Sequence, residues 1–199
     1  MFKTWIENEE ESQQWLGGSV LKTILYHGTN SKFDQFSPQK SHRYVLFSKF
    51  EVTTQGFFFT ETYDRAKEYG RNVAACYVRM MRPLLDPRTD KHLGVNRLPQ
   101  NKELDIVKIL MPMVEEDKYG QSIDIGVQKY YLNSKNDEFP THWIYNAIGG
   151  NGIAWDVMDN DKSVNVMKSL GYDGTFVDED YGSSIFVGSS DQVNIVKWM

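Results

Sequence analysis

Three short segments, far apart in the chain, place chemically able side chains beside glycines. They are Leu25-Tyr26-His27-Gly28-Thr29, then Gly56-Phe57-Phe58-Phe59-Thr60 with Tyr69 beyond it, and Leu170-Gly171-Tyr172-Asp173-Gly174 leading into Asp178-Glu179-Asp180. Glycine has no Cβ, so a ligand can approach its backbone closely. Aromatic rings offer faces on which a flat group can stack. The three adjacent carboxylates repel one another, which raises the proton affinity of at least one of them. Strand alternation sends Glu179 to one face and Asp178 and Asp180 to the other, so either the glutamate or the aspartate pair faces a given cleft. Taken singly, each segment also has a plain structural reading. His27 would be a strand-end histidine, the phenylalanine run core, and the acids a solvated hairpin turn.

The elements that must position these groups follow from periodicity and punctuation. Residues 2 to 18 read as a short amphipathic helix stopped by Gly17-Gly18. Val20 to Tyr26 is a strand ending in the His27-Gly28-Thr29 turn, and Asn30 to Gln55 reads mostly as loop. Gly56 to Thr60 is an aromatic strand. Thr60 or Thr62 can cap the next helix, whose Tyr63, Ala66, Tyr69 and Val73 follow helical spacing. Val73 to Met81 is a strand terminated by Arg82-Pro83.

From Arg88 to about Asp161 the pattern turns irregular, with helical candidates at Glu103 to Val114 and around Trp143 to Ile148, and we read 88–160 as an insertion in a single domain spanning 1–199. Asp161 to Leu170 is a helix with Val164, Met167 and Leu170 on one face, stopped by Gly171. Gly174 to Val177 and Ser184 to Val187 form a hairpin across Asp180-Tyr181-Gly182, and Val193 to Trp198 is a last strand.

The composition bounds what the site can serve. A chain of 199 residues with 40% apolar and 25% charged residues can bury a full core as one domain. A net charge of −5 argues against grip on a nucleic-acid backbone, and the basic residues Lys67, Arg71, Arg79, Arg82 and Arg88 have acids interleaved. Cys76 is the single cysteine, which fits a reducing compartment and allows no internal disulfide. The acidic start lacks a signal-peptide run and no later run reaches membrane-spanning length, so a cytoplasmic location and no membrane partner are expected. His42, His92 and His142 are scattered without metal-ligand spacing, so no metal is expected. Gly149-Gly150-Asn151-Gly152 has no Walker lysine after it and reads as a flexible loop, and no Gly-x-Ser-x-Gly elbow is present.

Together the three segments resemble the ADP-ribosyltransferase superfamily, in its diphtheria-toxin-like and poly(ADP-ribose)-polymerase-like branch with a His-Tyr-Glu signature. The resemblance covers mainly residues 24 to 86 and 165 to 199. Tyr26-His27-Gly28-Thr29 fits the family's Tyr/Trp-His-Gly-Ser/Thr motif residue by residue. The family's Gly-x-Tyr-Phe, with a second tyrosine eleven residues after its first, is similar to Gly56-Phe57-Phe58-Phe59 with Tyr69. Phe58 departs from the family's tyrosine, keeping the stacking face and losing a hydroxyl. The polymerase-like pattern puts its glutamate where this chain has Ser184, whereas small phage-type anti-CRISPR ADP-ribosyltransferases resemble it more closely from Leu170 to Ser184, with their acid at Glu179.

The resemblance implies an α+β fold, a split β-sandwich of two small antiparallel sheets with flanking helices and a mostly helical insertion. It implies that NAD is the substrate. Tyr26, His27, Gly28, Thr29, Gly56, Phe57, Phe58 and Tyr69 would then bind NAD, with His27 on a ribose hydroxyl and the Phe58 and Tyr69 rings sandwiching nicotinamide. Glu179, with His27, would be catalytic. Cleavage of the nicotinamide bond develops positive charge on the ribose, and a fixed carboxylate stabilises it. The activity implied is transfer of ADP-ribose to a macromolecular acceptor, a host protein, by a phage or mobile-element effector. An NAD glycohydrolase and a nonenzymatic binding module on the same fold are the alternatives.

Overall fold

A computed structural model describes residues 9–37, 39–45, 48–54, 56–90, 100–115, 148–149, 152–179 and 182–199. In chain order the elements are α1 (Glu9–Trp15), β1 (Leu25–Thr29), β2 (Gln39–Val45), β3 (Ser48–Thr54), β4 (Phe57–Phe59), α2 (Tyr63–Glu68) and β5 (Asn72–Val78). They continue with α3 (Gln100–Glu115), β6 (Ile148–Gly149), β7 (Gly152–Ala154), α4 (Trp155–Met158), α5 (Asp161–Ser169), β8 (Gly174–Glu179), β9 (Gly182–Val187) and β10 (Val193–Trp198). The fold is α+β, as expected. One sheet has the order β1-β5-β10 and is antiparallel; the other has the order β4-β9-β8-β7-β6, with β7–β8 as its parallel pair.

Period-two alternation sorts the side chains of these strands into two cores. Ala74, Cys76 and Val78 of β5 meet Phe57 and Phe59 of β4, Phe176 of β8, and Ile185 and Val187 of β9 between the sheets. The intervening Val177 and Phe186 point the other way, into a core made with Ile106, Val107, Ile109 and Leu110 of α3, Val157 and Met158 of α4, and Val164 and Met167 of α5. Phe58, between Phe57 and Phe59, sits on this second face and packs edge-on against Phe186 with ring centroids 5.1 Å apart. The aromatic run therefore divides: two rings are core and the middle one is released to the opposite face.

Local signals set the ends of α5. Asn160 Oδ1 accepts from the backbone N–H groups of Lys162 and Ser163 at 3.0 and 3.2 Å, an N-cap that satisfies otherwise orphaned donors. At the other end Gly171 adopts φ +84°, its N–H donating to Lys168 O at 2.9 Å and that of Tyr172 to Met167 O at 3.2 Å. This is a Schellman stop. The Asp173 carboxylate then accepts from the backbone N–H groups of Met81 and Arg82 at 2.7 and 2.8 Å, tying the chain after β5 to the start of β8. Gly171 to Gly174 thus serves to aim β8, and with it Glu179.

Residues 39–54, which the sequence reads as loop, form the β2–β3 hairpin, paired from Gln39↔Thr54 to Val45↔Ser48. β2 carries no alternating apolar row and β3 only the pair Phe50 and Val52, short of the run by which a half-buried strand is recognised. The helical candidate from Glu103 is realised as α3. Residues 143–147 of the other lie outside the described residues, and Ile148 opens β6. Residues 2–8 of the expected N-terminal helix, and Asp180 and Tyr181 of the β8–β9 turn, also lie outside them. Within 88–160, β7 pairs with β8 through Ile153↔Val177 and Ala154↔Asp178. No helix among the described residues is long and apolar enough to cross a membrane.

Candidate active site

The site lies where the two sheets meet. Tyr26 of β1 bridges Thr60, just past β4, and the two residues exchange backbone hydrogen bonds of 2.8 Å in both directions. Beside this bridge is a cleft of about 540 Å³ lined by Tyr26, His27, Gly28, Phe58, Thr60, Arg65, Glu68, Tyr69, Trp155, Glu179 and Ser184. Residues from all three sequence segments therefore face one space. Of the residues that the resemblance implicates, Tyr26, His27, Gly28, Phe58, Tyr69 and Glu179 line it. Thr29 ends β1 outside the lining, Gly56 packs against the Phe186 ring, and Phe57 is buried in the core against Phe36.

His27 is half-buried and surrounded by rings, with centroids of Phe36 at 4.9 Å, Phe59 at 5.6 Å and Phe33 at 6.2 Å. Its Nδ1 lies 2.8 Å from the carbonyl oxygen of Phe58. A carbonyl only accepts, so Nδ1 carries the proton and Nε2 keeps its lone pair in the neutral ring. Burial lowers the imidazole pKa below its ordinary 6.5, against the opposing pull of that carbonyl.

Glu179 accepts three side-chain hydrogen bonds in the cleft. Its Oε1 accepts from Ser184 Oγ at 2.6 Å, and its Oε2 accepts from Tyr69 Oη at 2.9 Å and from Arg65 Nη2. Burial by itself would raise this carboxyl's pKa; the hydrogen bonds from Ser184, Arg65 and Tyr69 and the Arg65 charge outweigh it and hold the pKa below the ordinary 4.5. Glu179 is thus ionised at neutral pH. A carboxylate offers about four lone-pair sites. Three are taken, and the one left is on Oε1.

Helical and strand geometry explain why these donors converge. Arg65, Glu68 and Tyr69 stand at i, i+3 and i+4 along α2 and its C-cap, and so share a face. Glu179 pairs with Gly182 and Ser184 with Val177, so Glu179 and Ser184 are diagonal neighbours on the same face of the β8–β9 ladder. Position 184, which carries the glutamate in the polymerase-like pattern, here supplies a hydroxyl to a carboxylate reached from the adjacent strand. Arg65, Glu68, Trp155, Thr60 and Ser184 were not singled out by sequence as site residues. Only Arg65 and Glu68 carried a usable signal, Arg65 through its i, i+4 spacing to Tyr69 and Glu68 through its i, i+3 spacing to Arg65. Asp178 pairs with Ser183 and Ala154 and does not line the cleft, and Asp180 lies outside the described residues.

The pKa directions fix the sign of a pH effect. Because the fold lowers the His27 pKa, the unfolded chain takes up a proton that the native chain refuses as pH falls below about 6.5, and stability falls with it. The lowered Glu179 pKa acts in the same sense at more acid pH: its stabilisation is complete above the ordinary 4.5 and is lost as pH drops through the native value. Urea unfolding at pH 7 and pH 5 should therefore give a lower midpoint at pH 5, with a smaller difference in His27→Gln. An equal difference in that variant would show that His27 is not its source.

No curated protein matches the chain in sequence. Among solved structures, one described as the crystal structure of an anti-CRISPR protein aligns at a TM-score of 0.43 and 13% identity, covering 91% of this chain and 98% of that one. The family model described as ADP-ribosyltransferase in polyvalent proteins matches residues 20–197, and the chain belongs to that family.

Proposed function

We propose that the chain is an NAD-dependent ADP-ribosyltransferase that moves ADP-ribose from NAD to a protein acceptor. The observation that carries this reading is the convergence of His27, Phe58, Tyr69 and an ionised Glu179 on one cleft. The donor set suits the dinucleotide. Neutral His27 presents an acceptor nitrogen for a ribose hydroxyl, Phe58 and Tyr69 supply faces for nicotinamide, and the open lone pair of Oε1 suits a second hydroxyl. Glu179, fixed by three donors before substrate arrives, is a preorganised negative charge of the kind that stabilises an oxocarbenium-like ribose.

A phage or mobile-element effector acting on a host protein in the host cytoplasm is the setting that the sequence resemblance supports. If water took the place of the acceptor, the same cleft would be an NAD glycohydrolase, and one assay separates the two. With NAD alone, nicotinamide release should be slow, and addition of host proteins should raise it together with the appearance of ADP-ribose on a polypeptide. Fast release without acceptor would favour hydrolysis. NAD at about a hundred times its dissociation constant should stabilise the fold by about 2.7 kcal/mol. That is roughly 5 to 11 °C in Tm for a chain of this size. The absence of both a thermal shift and nicotinamide release would overturn the reading.

A further inference from the structure

We propose that Glu68 and Trp155 form the acceptor side of the cleft and that the acceptor group is a guanidinium, the side chain of arginine. The inference rests on the transferase reading and concerns what that reading leaves unassigned. Glu179 has about one lone pair open, and a ribose hydroxyl uses it, so the carboxylate has no capacity to hold an incoming nucleophile or to take its proton. Some other acceptor of protons must do so. Among the described residues that line the cleft, Glu68 is a carboxylate engaged by no hydrogen bond or ion pair, three residues beyond Arg65 on the same face of α2.

Trp155, the first residue of α4, lines the cleft as well. It follows Ala154, whose partner across the parallel β7–β8 pair is Asp178, the residue before Glu179, and it is 40% exposed. Glu68 and Trp155 therefore line the same cleft as Glu179, one from α2 and one from the start of α4. A carboxylate together with an indole is a cation-recognising pair, and a planar guanidinium suits it better than an ammonium. It forks onto the carboxylate and stacks on the ring. The charges agree: Arg65 and Glu179 neutralise each other, His27 is neutral, and Glu68 leaves the cleft negative.

The transfer balances. The bond between ribose C1′ and the nicotinamide nitrogen breaks, and its electron pair leaves on nicotinamide, which becomes neutral. One guanidinium nitrogen forms the new C1′–N bond and gives one proton to Glu68, from which it passes to water. The product guanidinium keeps its single positive charge.

Agmatine, a small guanidine, tests this with the whole protein, with butylamine and N-acetylserine amide as an ammonium and a hydroxyl for comparison. The wild type should convert NAD to ADP-ribosylagmatine in preference to the other two adducts. In Glu68→Gln and in Trp155→Ala the ratio of ADP-ribosylagmatine to free ADP-ribose should fall at least tenfold. NAD cleavage or labelling of a protein without any agmatine adduct would overturn the guanidinium assignment and leave the transferase reading standing. So would an unchanged ratio in both variants, for the two residues. Complete absence of NAD cleavage under every condition would overturn both.

Discussion

Glu179→Gln should lower NAD-dependent nicotinamide release on the order of a hundred- to thousandfold, equivalent to about 3 to 4 kcal/mol of transition-state stabilisation. The substitution keeps the side chain's length and shape and removes its charge. Ser184 and Tyr69 donate to different carboxylate oxygens, so the one remaining carbonyl oxygen keeps one of these bonds in place and the amide NH2 meets the other hydroxyl's oxygen as a donor. What disappears is the negative charge proposed to face the ribose, together with the ionic partner of Arg65, a side chain only 18% exposed. Loss of that partner also costs stability, less than the roughly 3 to 5 kcal/mol of a fully buried pair because both groups keep some contact with water. Rate must therefore be referred to the folded fraction, measured by circular dichroism at the assay temperature. A corrected rate within about fivefold of the wild type would remove Glu179 from the mechanism. A Ser184→Ala variant probes the same carboxylate more gently, because one of its three donors goes while the charge stays.

Much of the site was legible because its parts are residue types at fixed spacings. His27 between Tyr26 and Gly28, and Phe58 eleven positions before Tyr69, need no fold to be noticed. The strands that hold them were legible for a related reason, since β4, β5, β8 and β9 are apolar enough for a buried strand to announce itself. The hairpin of β2 and β3 was not, because polar residues stand at both parities of its alternation. Ser184 and Trp155 escaped for a third reason. Each enters the cleft through strand register, Ser184 as a diagonal neighbour of Glu179 and Trp155 one step past the partner of Asp178, and register is a property of two segments at once. Arg65 is the instructive case. Its distance of four residues from Tyr69 placed it on the right helical face, but a basic residue on a short helix reads as solvated until the carboxylate opposite is known.

Gly28→Ala separates what the fold demands of the His-Gly motif from what a ligand demands, and we expect it to cost about 3 kcal/mol or more of stability. Gly28 is not one of the positive-φ glycines, which among the described residues are Gly18, Gly152 and Gly171, so the requirement is space rather than backbone conformation. A Cβ at position 28 would fall 1.7 Å from the carbonyl oxygen of Ala66 and 2.7 Å from its carbonyl carbon. Those are backbone atoms of α2, and the same oxygen accepts the N–H of Tyr69 at 3.1 Å, so it cannot turn aside without opening the end of the helix. The helix as a whole must move off β1, beyond the 1 to 3 kcal/mol of ordinary overpacking. A Tm lower by roughly 6 to 12 °C should result. The displacement also carries Arg65 and Tyr69 away from Glu179, so the rate per folded molecule should fall even though no group that touches substrate has been removed. Gly188→Ala is the control. Its Cβ would meet the Cε of Lys168 at 2.6 Å, the far end of a flexible side chain that can swing away, and the cost should stay within about 0.5 kcal/mol. Equal stability of the two variants would mean that β1 and α2 are not packed as tightly as this geometry requires. The glycine beside His27 would then be retained for ligand approach alone.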